Sequence, residues 1–294
     1  MKKPIFVRDR TEEEEARLKQ GLRSKDGFEV RRSQIILASA RKQTAIQIGD
    51  NLASNKYVQI KQKVGQTCGI VVNLHKFTNS VKPKEIEAII TVAQKRKHGL
   101  IVQLPTPSWL QSLVANIPYQ IDIDLLGWQA NQLWQQGILP PTIGAIDLTL
   151  KFHFQKQIFS PEMLKQPLLL NREIVAVIGC GKLVGTPAIR YFLERQATVI
   201  AIHKYTPNPT QLTRLANIIL TATGQPKLIT KDWIKPGCVL IDAATSESNG
   251  ALVGDVDYTL DWSEVWLSPS PGGIGRLTVL YLFYNLLKLS ELFG

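Results

Sequence analysis

The sequence has 294 residues, 44% apolar and 20% charged, enough chain to bury two cores and too polar overall for an integral membrane protein. Its three cysteines, Cys68, Cys180 and Cys238, stand far apart in no disulfide-framework or metal-ligand spacing, so a reducing compartment is expected. The formal charge of +11 draws anions, yet the basic residues are scattered rather than interleaved with aromatics, which disfavours nucleic acid.

In chain order, residues 1–43 read as helical. Thr11 can cap a helix whose first turn carries Glu12 to Glu15, Ser24 to Gly27 breaks it, and Glu29 to Lys42 resumes. The opening MKKPIFVRDRTEEEE has no apolar core and does not read as a secretion signal. From Thr44 the texture changes to strands at 45–49, 69–74 and 99–105, with helices at 55–66, 82–97 and 108–117 between them. Pro140-Pro141 opens a further helix over 142–154. Strands follow at 174–179, 197–202, 217–222, 238–243 and 266–271, and a helix closes the chain from Arg276 to Leu289. Asn285 and Lys288 interrupt the apolar run Val279 to Leu289, so it reads as amphipathic rather than membrane-spanning, and a cytoplasmic location is expected. Strands alternating with helices imply parallel sheets, an α/β protein of two domains.

One run carries chemistry on its own. In IVAVIGCGKLVGTPAIRYFL, Gly179, Gly181 and Gly185 stand between an apolar strand and a helix, where a pyrophosphate can meet backbone amides at a helix N-terminus. A plain strand-to-helix turn built of small residues is the other reading. The next strand ends at His203 and Lys204, with no acid where a ribose hydroxyl would be held. A cation there suits a 2′-phosphate and so NADP, with NAD possible and an ordinary surface lysine the alternative.

Six blocks in one order, GDNLASNKYVQIKQKVGQTCGI (49–70), GLIVQLPTP (99–107), DIDLLG (122–127), GCGKLVGTP (179–187), IKPGCVLIDAATSESNGALVGDVD (234–257) and SPSPGGIGRLT (268–278), closely resemble the bifunctional methylenetetrahydrofolate dehydrogenase/cyclohydrolase (FolD) family. The resemblance implies a folate-binding catalytic domain over 44–146, completed by 276–294, a Rossmann-like NAD(P)-binding domain over 147–275, and a cleft between the two. It implies Lys61, Gln103 and Asp124 as catalytic residues, Tyr57, Pro271, Gly272 and Gly273 as folate contacts, and Gly179, Cys180, Gly181, Gly185, His203, Lys204 and Thr245 as cofactor contacts, with no metal. It also implies a homodimer. Tyr57 and Lys61, four apart on one helix face, are expected to reach one site, Lys61 as a neutral amine beside a cationic product.

The sequence departs from the family at several points. Leu125 stands where a glycine usually follows the second acid, which leaves open whether Asp122 or Asp124 is the working carboxylate. Cys180 replaces a frequent arginine, and Arg276-Leu277 replaces Pro-Met. Residues 4–43 resemble the leading segment of helix-turn-helix transposases. Two other outcomes therefore stay open: the same fold with one or both activities lost, or a DNA-binding protein using the N-terminal helices.

Overall fold

The computed structural model describes residues 11–21, 43–155, 166–248 and 251–293. The expected second leading helix, over 29–42, lies outside the described residues. The chain divides into two compact units, residues 1–141 with 279–294 and residues 142–278.

Unit 1 contains α1 (Glu12–Gly21), β1 (Gln43–Ile48), α2 (Leu52–Thr67), β2 (Val72–Phe77), α3 (Pro83–Lys95), β3 (Gly99–Gln103), a 3-10 turn (Ser108–Leu110), α4 (Gln111–Ala115) and a 3-10 stretch (Trp128–Gln136). The three strands pair in parallel in the order β2-β1-β3. Because successive side chains of a strand point to opposite faces, the sheet serves two cores. Ile46, Leu100 and Val102 bury with Ile86 of α3 on one face. Ala45 and Ile101 bury on the other with Leu282, Phe283 and Leu286, which belong to the last helix of the chain.

Unit 2 contains most of α5 (Pro141–Gln155), then β4 (Ile174–Ile178), α6 (Gly185–Glu194), β5 (Thr198–Ile202), α7 (Pro209–Thr213), β6 (Ile218–Thr221), β7 (Val239–Asp242), β8 (Ser246–Ser248), β9 (Ala251–Val253), β10 (Trp266–Ser268) and the first residues of α8 (Ile274–Phe293). Its main sheet is wholly parallel in the order β10-β7-β6-β4-β5. Central strands β6 and β7 are buried throughout, as a sheet covered on both faces requires, whereas β5 at the edge is buried only at Ile202.

The expected strand at 266–271 ends at Ser268, because Pro269 and Pro271 have no N–H to donate to a ladder. The expected helix over 108–117 is split between the 3-10 turn and the short α4. Pro141 opens α5 one residue earlier than expected, a position where its missing N–H costs nothing. The body of α5 goes with unit 2 rather than ending the first domain near 146, since Asp147 accepts a hydrogen bond from Tyr191 of α6 at 2.6 Å and pairs with Lys151 at 2.7 Å, all three buried. Among the described residues no helix is long and apolar enough to cross a membrane, and no cluster of side chains is suited to a metal ion.

Candidate active site

In unit 1, β1 runs into α2 through Gly49, at φ +81°, and Asn51, whose side chain accepts the N–H of Ser54 at 3.0 Å and caps the helix. That start fixes the rotation of α2. Tyr57 and Lys61 follow on one face, both partly buried. Ser54 donates to the carbonyl of Leu104 at 2.9 Å, which ties the first turn of α2 to the end of β3.

Gln103 occupies that strand end. Its Nε2 donates to the carbonyl of Leu104 at 3.1 Å, which commits the amide nitrogen and turns Oε1 toward Lys61, whose Nζ donates to it at 3.3 Å. Asp124 Oδ2 lies 3.6 Å from the same Nζ. The side chains of Lys61 and Asp124 are 12% and 18% exposed, so the pair is sheltered while still reachable by a ligand. The amine thus has a carboxylate beside it, a partner that the expectation of a neutral amine did not include.

Of the two acids, Asp124 faces Lys61 and Asp122 turns inward. Asp122 is 1% exposed, accepts the N–H of Gly127 at 2.7 Å, and burial pushes its carboxyl up to about 7 despite that bond. The chain reverses between them and Gly127 with Leu125 at φ +55°. The usual glycine is missing, but the left-handed backbone it would serve is present. Asn285 of α8, wholly buried, donates to the carbonyls of Ile123 at 3.0 Å and Leu139 at 2.9 Å and so holds the acid loop from behind. Sequence reasoning took Asn285 only as an interruption; the signal was a lone amide inside an apolar helix, which needs buried partners.

In unit 2 the strand order, counted in order of appearance, is 2-1-3-4-5, and the turn after β4 falls at its switch point, where ligands of open α/β sheets bind. Gly179 has φ +94°, and a Cβ there would stand 2.6 Å from the carbonyl oxygen of Ala222; a Cβ on Gly185 would collide with the carbonyl of Gly179. These two glycines are required by the protein itself. Gly181 is different: a Cβ there meets nothing within 4 Å, so its smallness leaves open space above the turn. Thr186 locks the loop, its N–H on the carbonyl of Gly181 at 2.9 Å and its hydroxyl on that of Cys180 at 3.1 Å, and no side chain among the described residues caps the N-terminus of α6. The fit to a pyrophosphate is therefore good: open space, backbone amides and a free helix terminus together.

The Cys180 thiol turns toward the carbonyl of Ile202 at 3.5 Å, and burial pushes its pKa up. His203 and Lys204 follow β5 in an exposed turn. His203 Nδ1 accepts the N–H of Tyr205 at 3.1 Å, and the Lys204 ammonium lies 4.8 Å from the centre of the Tyr205 ring. Thr245 is exposed between β7 and β8. Gly272 and Gly273, after Pro271, line a largely apolar cavity of about 440 Å³ with Phe152, Trp266 and Arg276. The structure thus groups Lys61, Gln103 and Asp124 in unit 1, and the glycine turn with the 203–204 turn, Thr245 and the 271–273 loop in unit 2.

Such a pair of units, one holding a lysine–amide–carboxylate cluster and the other a Rossmann-like sheet with a glycine turn at its switch point, defines the chain as a dinucleotide-dependent enzyme class. The family model for the tetrahydrofolate dehydrogenase/cyclohydrolase catalytic domain matches residues 16–124, and that for its NAD(P)-binding domain matches residues 162–293. The bifunctional protein FolD of Lactobacillus acidophilus is 33% identical over 254 residues, 84% of this chain and 85% of the relative; that of Acholeplasma laidlawii is 33% identical over 83% and 86%. The crystal structure of bifunctional FolD from Campylobacter jejuni superposes with a TM-score of 0.74 at 26% identity, over 95% of this chain and 96% of that one. FolD of Trypanosoma brucei, complexed with NADP cofactor and inhibitor, gives 0.74 at 25% identity over 99% and 98%. The chain belongs to the tetrahydrofolate dehydrogenase/cyclohydrolase family. The catalytic-domain match begins at residue 16, inside the segment 4–43, and so takes in residues 16–43 of it.

Proposed function

We propose that this protein oxidises 5,10-methylenetetrahydrofolate to the 5,10-methenyl form with NADP and hydrolyses that product to 10-formyltetrahydrofolate, both steps of one-carbon metabolism. The observation that carries the reading is the meeting of Lys61, Gln103 and Asp124 in a chain that also has the glycine turn.

NADP, when bound, would supply the acceptor for the hydride of the methylene carbon in the first step. Gly179, Cys180, Gly181 and Gly185 would hold its pyrophosphate by backbone, and His203 and Lys204 its 2′-phosphate, with Thr245 near the same strand ends. Gly181 supplies room and Lys204 charge. Tyr57 offers a flat ring to stack on folate, Asp124 two acceptor oxygens for the pterin N–H groups, and Pro271, Gly272 and Gly273 a backbone without bulk.

Hydrolysis then uses Lys61. Water adds to the cationic methenyl carbon and loses a proton; the bond to N5 then breaks as N5 takes up a proton and the hydroxyl gives up its own to become the formyl carbonyl, one proton being released overall. The Lys61 amine moves those protons while Gln103 holds it in place. Asp124 lies within ion-pair range of the amine yet beyond hydrogen-bond length, so a pterin can engage the carboxylate without first breaking a short bond. We further propose, from the family resemblance, that the protein works as a cytoplasmic homodimer whose product serves purine biosynthesis.

The test is direct. Purified protein with methylenetetrahydrofolate and either NADP or NAD is followed by methenyl absorbance. A rise and decay, faster with NADP, is expected; no rise with either cofactor contradicts the proposal.

A further inference from the structure

Asp242 ends β7 fully buried, and its carboxylate is saturated. Oδ1 accepts the N–H groups of Ala244 at 3.1 Å and Asp255 at 3.2 Å, and Oδ2 accepts the N–H of Val256 at 3.1 Å and the hydroxyl of Tyr258 at 2.9 Å. Backbone is pressed against it, since a Cβ on Gly254 would run into Oδ2. The Tyr258 oxygen, whose O–H donates to Asp242, accepts the N–H of Ser270 at 2.6 Å. Ser270 is held a second time, its own hydroxyl donating to the carbonyl of Ala244 at 2.7 Å. The loop after β10 therefore hangs from the end of β7 by two tethers, and one of them is a single phenol.

We propose that Tyr258 is a positioning residue for the dehydrogenase step: it carries the fixed location of Asp242 to Ser270 and so sets where the Pro271-Gly272-Gly273 backbone stands at the C-terminal edge of the unit 2 sheet. That edge is where nicotinamide belongs if the function proposed above holds, and the inference rests on that reading. Phenylalanine at 258 keeps the ring but strands the Ser270 N–H and removes one donor from a buried carboxylate. The glycine turn, on the far side of β6, makes no hydrogen bond to Tyr258 among the described residues. Hydride transfer depends on small displacements of the reacting groups, so a loosened loop lowers the rate rather than the affinity of the adenosine end.

Dehydrogenase kcat at saturating NADP and the Kd of 2′,5′-ADP, a probe of the adenosine end alone, are measured for wild type, Tyr258→Phe and Ser270→Ala. The expected result is a kcat lower by about tenfold in Tyr258→Phe and lowered also in Ser270→Ala, with 2′,5′-ADP affinity unchanged within about twofold in both. A Tyr258→Phe kcat within about twofold of wild type, or a loss of 2′,5′-ADP binding as large as the loss of kcat, overturns the proposal. A wild type that binds 2′,5′-ADP and does not oxidise methylenetetrahydrofolate overturns both the proposal and the reading beneath it, and the wild-type arm alone reveals that case.

Discussion

At Asp122 the carboxyl is enclosed, with one oxygen on the Gly127 N–H and the other buried without a hydrogen-bond partner among the described residues. Burial raises its pKa to about 7 from the ordinary 3.8. The folded state therefore holds this proton to higher pH than the unfolded chain does. Its contribution to stability is full below about pH 4 and is lost as pH rises through about 7. Asp122→Asn removes the titration. Urea midpoints across pH 4 to 8 should show the variant gaining on wild type as pH rises; a constant difference would refute the assignment. Leu125 poses a separate question, because a leucine at φ +55° bears steric strain and a β-branched residue would bear more. Leu125→Val should lower stability by about 1–2 kcal/mol, while Leu125→Gly retains cyclohydrolase activity, as read by thermal midpoint and methenyl decay. Equal stability of the valine variant would count against strain there. In the sequence the two acids were visible but their roles were not separable, since which one faces Lys61 depends on the backbone reversal at Leu125 and not on spacing.

The elements were more legible than their ends. Parallel strands sit where apolar runs of four to six residues stand between turn signals, and the glycine turn lies between β4 and α6 as its pattern required. Strand β10 stops short for want of N–H groups. The hairpin of β8 and β9 went unread although Asn249-Gly250, a dipeptide favouring tight hairpins, lies between its strands in the sequence. The last helix hid its most useful residue. Asn285 was read for amphipathicity, while its two hydrogen bonds join segments 162 and 146 residues away, a fact that no local pattern contains. Asn285→Leu strands the carbonyls of Ile123 and Leu139 and should cost about 1–3 kcal/mol, with a further loss of cyclohydrolase activity as Asp124 shifts. Chemical denaturation together with the methenyl decay rate checks it; an unaltered decay rate in a destabilised protein would confine Asn285 to a structural role.

For the molecule as a whole, the two activities draw on different parts of the chain. On the proposed function, the proton transfers of hydrolysis would fall to Lys61, Gln103 and Asp124, which meet in unit 1, whereas hydride transfer would also need a cofactor seated on unit 2. Single changes should therefore separate them. The most direct measurement follows methenyl absorbance in Lys61→Met supplied with methylenetetrahydrofolate and NADP. The methenyl product should accumulate and persist, because methionine keeps the bulk of the side chain and cannot move a proton. Loss of the rise and the decay to the same extent, in a variant that still folds and binds NADP, would contradict the role given to this amine.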